Sequence, residues 1–314
     1  MVNSKNIFLL LDGSSLIYRA FYAMPRFTSP QGKPTGAILG FGNMILRLID
    51  DLNPHSLIIT FDHPQKTFRH QLAKEYKAQR KPMPEELIPQ VSMVKDLIDF
   101  FGLKWVEVPG YEGDDVIGSL RNQISENFSV AMVSSDLDLM QLINEKTFLL
   151  QPVKGVTQLK KIDLQTIQVQ LGITPSQIID FIALTGDPSD NIPGLPGIGE
   201  KTALNLLKQY QNWQGILQHI NELPPRLQKT IQEFSPQVEL SLQLATIIDT
   251  IPIKMNLQPW NYQKVQWKNL FALLDELGLV KYKERLMKKR NEANQNTYPL
   301  FSDCQLKNKE KREN

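Results

Sequence analysis

Nine carboxylates stand at the ends of apolar runs or in tight clusters: Asp12, Asp62, Glu112, Asp114, Asp115, Asp136, Asp138, Asp187 and Asp190. Three of them follow runs that read as buried strands, Ile7 to Leu11 before Asp12, Leu57 to Phe61 before Asp62, and Val130 to Ser135 before Asp136. The crevice beyond the carboxyl ends of strands is where open α/β sheets place ligands, so these three are expected to converge at one sheet edge. That many anions repel one another and take up protons unless a cation neutralises them. All the donors are oxygen, and the four histidines (His55, His63, His70 and His219) form no paired-ligand motif. Mg²⁺ or Mn²⁺ is therefore expected over Zn²⁺. Two such ions sharing carboxylates can activate a water and stabilise the leaving oxygen of a phosphodiester.

Each acid alone has an ordinary explanation. Asp12 before Gly13-Ser14-Ser15 could cap a helix, and Asp187 and Asp190 could shape a turn before Asn191-Ile192-Pro193. Acids in a first helical turn, as in Tyr111-Glu112-Gly113-Asp114-Asp115, are favoured by the helix dipole. Within that segment Glu112 and Asp115 share a helix face, and Asp114 lies about 100° round from Asp115. Caps and turns account for single acids and not for the whole set.

Two further segments carry chemistry. Lys66 to Lys81 holds six bases against one acid and reads as an electropositive arch following Asp62. On a helix, Lys77 and Arg80 lie three apart and could reach a reacting phosphate, while Phe68 or Tyr76 offers a face for an unpaired base. Asn191 to Ala203 is a Gly/Pro turn feeding a helix, in which Gly194, Gly197 and Gly199 let backbone N–H groups approach phosphate and Lys201 adds charge. This turn resembles the helix-hairpin-helix group of non-sequence-specific DNA binders.

The elements that must position these residues are legible in outline. Strands are expected near 6–11, 57–61, 104–108, 129–134 and 147–151. A helix is expected from Ala37 to Leu52, and another opening at Pro84 and running through Val91, Val94, Leu97 and Ile98. Alternating strands and helices imply an α/β domain with a mostly parallel sheet. From about Leu164 the pattern turns helical. The expected division is an α/β core over 1–163 with the arch at about 63–83, a helical subdomain over 164–287, and a flexible tail or linker over 288–314.

At 314 residues and 41% hydrophobic, the chain can bury an ordinary globular core. No run approaches the roughly 20 apolar residues of a membrane helix, and Ile7 to Leu11 is too short for a signal-peptide core. The single cysteine, Cys304, excludes an internal disulfide framework and a Cys-based zinc cluster, and a cytoplasmic location is expected. The formal charge is +2, yet apart from the nine clustered carboxylates 24 acids face 35 bases. A basic surface around an acidic centre suits a phosphate polymer offered to metal. Two rival readings are a non-catalytic DNA-binding module that uses only the arch and the turn, and a phosphohydrolase of small esters built on Asp12. Against the second, Ser14 stands where a second acid is usual.

The motifs LLLDGSSLIYRAFYA, TFDHPQKTFRH, EYKAQR, GYEGDDVIG, SSDLDLMQL and TGDPSDNIPGLPGIGEKTA resemble those of the 5′→3′ exonuclease domain of bacterial DNA polymerase I, in the flap endonuclease superfamily. The likeness covers roughly residues 5 to 285. It implies a PIN-like core, a helical arch that threads or clamps the 5′ strand, and a helix-three-turn-helix at about 187–209 that holds duplex DNA and often a K⁺ ion. It further implies that all nine acids serve metal, with Asp187 and Asp190 completing a second site. Arg69, Lys77 and Arg80 are then catalytic cations, and Tyr76, Gly194, Gly197, Gly199, Lys201 and Thr202 contact DNA. The implied activity is two-metal removal of RNA primers, 5′ flaps and 5′-terminal nucleotides by a monomer, with DNA polymerase I in cis or in trans. The chain departs from the family pattern at Gly113, usually Ala, and at Ser135-Asp136-Leu137-Asp138, usually Gly-Asp-Lys-Asp, which removes a positive charge at 137.

Overall fold

The computed structural model describes residues 7–124, 126–254 and 264–293. Its centre is a six-stranded sheet in the order β3-β2-β1-β4-β5-β6. These strands are β1 (Ile7–Asp12), β2 (Ser56–Thr60), β3 (Lys104–Val106), β4 (Ser129–Val133), β5 (Thr147–Lys154) and β6 (Gln158–Ile162). All pairs are parallel except β5 with β6. β1 is buried along its whole length, which is why it reads as a continuous apolar run rather than an alternating one.

Side chains alternate across the sheet and feed two cores. Leu9, Leu11, Leu57, Ile59, Ala131 and Val133 face one core, which is covered by α1 (Gly13–Ala23), α2 (Gly36–Leu52) and α4 (Ile88–Phe100). Phe8, Leu10, Ile58, Val130 and Met132 face the other. There α5 (Gly113–Gln123) packs first, and the core runs on into α7 (Ile178–Thr185), α8 (Glu200–Tyr210), α9 (Trp213–Gln218) and α10 (Pro225–Ala245). Short helices α3 (Phe68–Leu72) and α6 (Leu164–Gln170) complete this part of the chain.

The structure departs from the sequence expectations in four places. β6 was not foreseen, since its polar sequence QLKKI suits an exposed edge strand with little apolar signal. The arch is not a helix beyond Leu72: residues 74–79 are turns, and Lys77 has left-handed backbone with φ of 57°. The helix expected from Pro84 begins at Ile88, with Pro89 in its first turn.

The fourth departure concerns the C-terminal end. Helices α11 (Trp267–Glu276) and α12 (Val280–Ala293) return to the first core, where Trp267, Leu270, Leu274 and Leu286 pack with α2 and α4. Lys289, expected in a flexible tail, pairs with Asp50 of α2 at 2.7 Å. The rest of that tail, 294–314, and Cys304 within it lie outside the described residues. Among the described residues no helix is long and apolar enough to cross a membrane.

Candidate metal centre

Register explains why the first acids meet. Leu11 of β1 pairs with Ile59 and with Val133, so the chain leaves β1, β2 and β4 at one level and delivers Asp12, Asp62 and Asp136 to the same edge. There a cleft of about 470 Å³ is lined by Asp12, Asp62, Asp114, Asp136, Asp138 and Asp187, and by Lys77 and Arg80. Asp190 stands beside it: Asp138, Asp187 and Asp190 can each offer an oxygen within 4.8 Å of the others. The turn carrying Asp187 and Asp190 is closed by reciprocal backbone hydrogen bonds of 2.9 Å between Asp187 and Ile192.

Short local hydrogen bonds aim the carboxylates. Asp12 caps α1, accepting the Ser15 amide at 2.9 Å on Oδ1, and accepts the Ser134 hydroxyl at 2.6 Å on Oδ2. Asp62 accepts the Gly113 amide at 2.7 Å. Asp136 accepts the Asp138 amide at 2.9 Å, and Asp187 accepts the Ser189 amide at 2.8 Å. Ser134, Ser135 and Ser189 were missed by sequence reading. Their signal was there, a hydroxyl adjoining an acid at a strand end or turn. Tyr18 of α1 also lines the cleft, as does Leu137, which is 42% exposed where the family resemblance expects lysine.

Burial and mutual repulsion push several of these groups toward their protonated forms. Burial, then the neighbouring Asp62, raises the Asp12 carboxyl to about 7. Burial, then Asp136, raises Asp138 to about 8 and holds Asp114 well above the usual carboxylate range. Burial likewise raises Asp136. Asp190 is the exception: burial favours its neutral form, but Lys77 and Arg80 outweigh that and hold it below the ordinary value. An all-oxygen set carrying excess negative charge in a shared cleft fits hard divalent cations. The residues present therefore suit the metal that the sequence implies.

Four side chains with expected roles turn to partners inside the fold. Asp115 is fully buried and Arg69 nearly so, and they bind each other at 2.7 and 2.8 Å instead of facing the cleft. Asp115 points inward because it is one residue, and about 100°, round the helix from Asp114. Tyr76, expected to stack on a base, is 3% exposed, and its hydroxyl lies 3.1 Å from Glu112 and 3.0 Å from Asp190. Glu112 is held behind the cleft by Tyr76 and by Lys77 at 2.8 Å. Arg80 donates to Asp190. Gln79 and Asn191 join the arch to the acidic turn at 2.9 Å, and Asn191 also donates to the Glu75 carbonyl at 2.7 Å.

The glycine-rich turn divides by role. At Gly194 an added Cβ would lie 2.4 Å from the Thr185 carbonyl, so this glycine serves close packing rather than a ligand. Gly197, with φ of 77°, Gly199, Lys201 and Thr202 are exposed at the start of α8, and nothing lies within 4 Å of either glycine's Cβ position. Two side chains of α10 brace the turn from behind, Gln237 donating to the Gly194 carbonyl and Ser241 to that of Pro193, each at 2.8 Å.

Residues 7–172 match the family model described as 5′-3′ exonuclease, N-terminal resolvase-like domain, and residues 173–268 that described as 5′-3′ exonuclease, C-terminal SAM fold. The chain is 37% identical over 289 residues to DNA polymerase I of Bacillus subtilis, a match covering 91% of this chain and 33% of that protein. It thus spans about a third of the length of the curated relatives it matches. Among solved structures it is similar to a bacteriophage T5 5′-exonuclease with bound zinc, at a TM-score of 0.63 and 21% identity over 86% of this chain and 99% of that one. The T5 flap endonuclease in a pseudo-enzyme–product complex with DNA and metal ions gives a TM-score of 0.62 at 22% identity, covering 87% and 99%. These two likenesses concern the fold.

Proposed function

Because the chain belongs to the 5′-3′ exonuclease family, we propose that it hydrolyses phosphodiesters of DNA from 5′ ends and at 5′ flaps in a reaction dependent on divalent metal. The observation that carries this reading is the gathering of six carboxylates in one cleft together with Lys77 and Arg80. Asp12, Asp62, Asp114, Asp136, Asp138, Asp187 and Asp190 are the proposed ligands, for two or more Mg²⁺ ions or for Mn²⁺. Such ions supply the charge that activates water and steadies the leaving oxygen. Among the described residues no histidine lines the cleft.

The chain's own residues do the rest. Ser15, Ser134 and Gly113 fix the orientation of Asp12 and Asp62 before any substrate arrives. Lys77 and Arg80 are paired with Glu112 and Asp190, and a phosphate entering the cleft offers them a second anionic acceptor. Exposed Gly197, Gly199 and Lys201 present backbone N–H groups and a cation to duplex phosphates, with K⁺ as the ion expected at that turn. The Thr202 side chain is exposed beside them, while its own N–H donates to the Gly199 carbonyl at 3.0 Å. The proposed substrates are DNA with 5′ flaps, nicks or RNA primers, in replication and repair, with a DNA polymerase as partner in cis or in trans. Cleavage of a labelled 5′-flap DNA in Mg²⁺, lost in EDTA, is the expected result. Binding without cleavage in either condition would favour a DNA-binding module instead.

A further inference from the structure

Arg69 and Asp115 are held by partners inside the fold. A guanidinium has five N–H donors. Here Nε donates to the Leu244 carbonyl at 2.8 Å, Nη2 to Asp115 at 2.8 Å and to the Thr246 carbonyl at 2.7 Å, and Nη1 to Asp115 at 2.7 Å with Glu112 at 3.5 Å. Four of the five donors are taken, and the Nη1 that carries the fifth has the Glu112 carboxylate as its charged neighbour. A carboxylate has about four acceptor positions, and those of Asp115 are also taken. Oδ1 accepts from Arg69 and from the Ile248 amide at 2.9 Å, and Oδ2 from Arg69 and from the Glu112 amide at 3.0 Å.

These partners belong to three separate parts of the chain. Arg69 lies in α3 at the foot of the arch, Asp115 and Glu112 at the start of α5, and Leu244 to Ile248 in the last turn of α10 and on the segment leaving it. That segment is further fixed by Ser119, which accepts the Ile251 amide at 3.0 Å, and by Gln141, which accepts the Ile247 amide at 2.9 Å. One to two turns before Leu244, α10 (Pro225–Ala245) also braces the glycine-rich turn through Gln237 and Ser241. One continuous set of contacts therefore runs from the exposed turn, along α10, to the arch foot and the first turn of the helix that bears Asp114.

We propose that Arg69 and Asp115 are a positioning pair, neither touching substrate nor holding metal, that sets the register between the DNA-holding turn and the metal cleft. Through them one phosphodiester, and not its neighbour, is presented for cleavage. This rests on the nuclease reading above. Breaking the pair leaves a buried charge, whereas replacing both members by apolar side chains of similar size removes that cost.

The test compares the full wild-type chain with Asp115→Asn and with the double variant Arg69→Met/Asp115→Leu, which covers the case where the single variant fails to fold. In both, the number of Mn²⁺ ions bound, read by calorimetric titration, is expected to be unchanged, with affinity within about threefold. Hydrogen exchange over residues 66–81 and at the Ile248 amide should be about tenfold faster. Cleavage of a 5′-flap DNA should spread from one phosphodiester to its neighbours. Loss of a Mn²⁺ equivalent would make Asp115 a ligand and overturn the proposal, as would an unchanged single cleavage position in both variants. A wild-type chain that binds Mn²⁺ but leaves the flap intact would overturn the nuclease reading, a failure visible before any variant is made.

Discussion

At the scale of single residues, Asp114 and Asp138 combine exposure to the cleft with raised carboxyl pKa, in Asp138 to about 8. Replacing either with Ala should lower kcat by about 10²–10³ or more, as removal of one fixed charge-stabilising group does. DNA binding measured in Ca²⁺ should survive. The same raised values carry a pH prediction. The unfolded acids titrate near 3.8, whereas Asp12 holds its proton to about 7 and Asp138 to about 8. Across that window the folded chain binds more protons than the unfolded one, so in EDTA its stability is greatest at the acidic end and falls as pH rises toward 8. Bound divalent metal replaces the protons and flattens this slope. Melting curves from about pH 5.5 to 8.5, with EDTA and with Mg²⁺, check it, and a Tm in EDTA that is flat or rising would contradict it.

Leu137 offers a gain-of-charge test. Leu137→Lys should steepen the salt dependence of DNA binding, by about 0.9 in log K against log salt for one added phosphate contact. Most of the site was legible at this scale because strand-end acids stand out after apolar runs. What the sequence could not tell apart was Asp114 from Asp115. Adjacent acids look alike in a string, yet the helix turns one toward the cleft and the other inward onto Arg69. Tyr76 was misread for a similar reason, since its burial depends on a fold of the arch that local spacing does not encode.

At the scale of elements, the glycine-rich turn and α10 act as one unit. Gly194→Ala should destabilise by at least about 1–3 kcal/mol, because the new methyl meets backbone that cannot give way. Gly199→Ala should fold normally, since nothing lies within 4 Å of its Cβ position. Thermal melts of the two variants distinguish a packing glycine from one kept open. The arch shows where periodicity misleads. Its bases sit at helical spacing, but the helix ends at Leu72, and Lys77 takes left-handed backbone with its amide donating to the Asp190 carbonyl at 2.9 Å. Tertiary contacts to the acidic turn decide its path. β6 was invisible for the opposite reason, an edge strand whose exposed face needs no apolar residues.

At the scale of the whole molecule, the sheet divides two cores, and the chain crosses from the first to the second and back. The return through α11 and α12 was not legible, because amphipathic helices reveal that they bury a face but not against which partner. Deleting 265–293 would strip Val265, Trp267, Leu270, Leu274, Leu277 and Leu279 from the first core. At roughly 1.5–3 kcal/mol per buried side chain the loss is on the order of 10 kcal/mol, comparable with the whole stability of a domain. Such a truncation should fail to fold, even though it keeps every carboxylate of the cleft. Leu270→Ala alone should cost about 2–5 kcal/mol in chemical denaturation.

All three scales meet in one claim, that the fold brings carboxylates to a sheet edge in order to hold metal for hydrolysis of DNA from 5′ ends. The most direct measurement is cleavage of a 5′-labelled flap DNA by the wild-type chain and by Asp138→Ala, in Mg²⁺ and in EDTA. The account predicts short 5′ products from the wild type in Mg²⁺ alone, and from the variant cleavage slower by about a hundredfold or more. Equal cleavage with EDTA present, or by the variant, would contradict it.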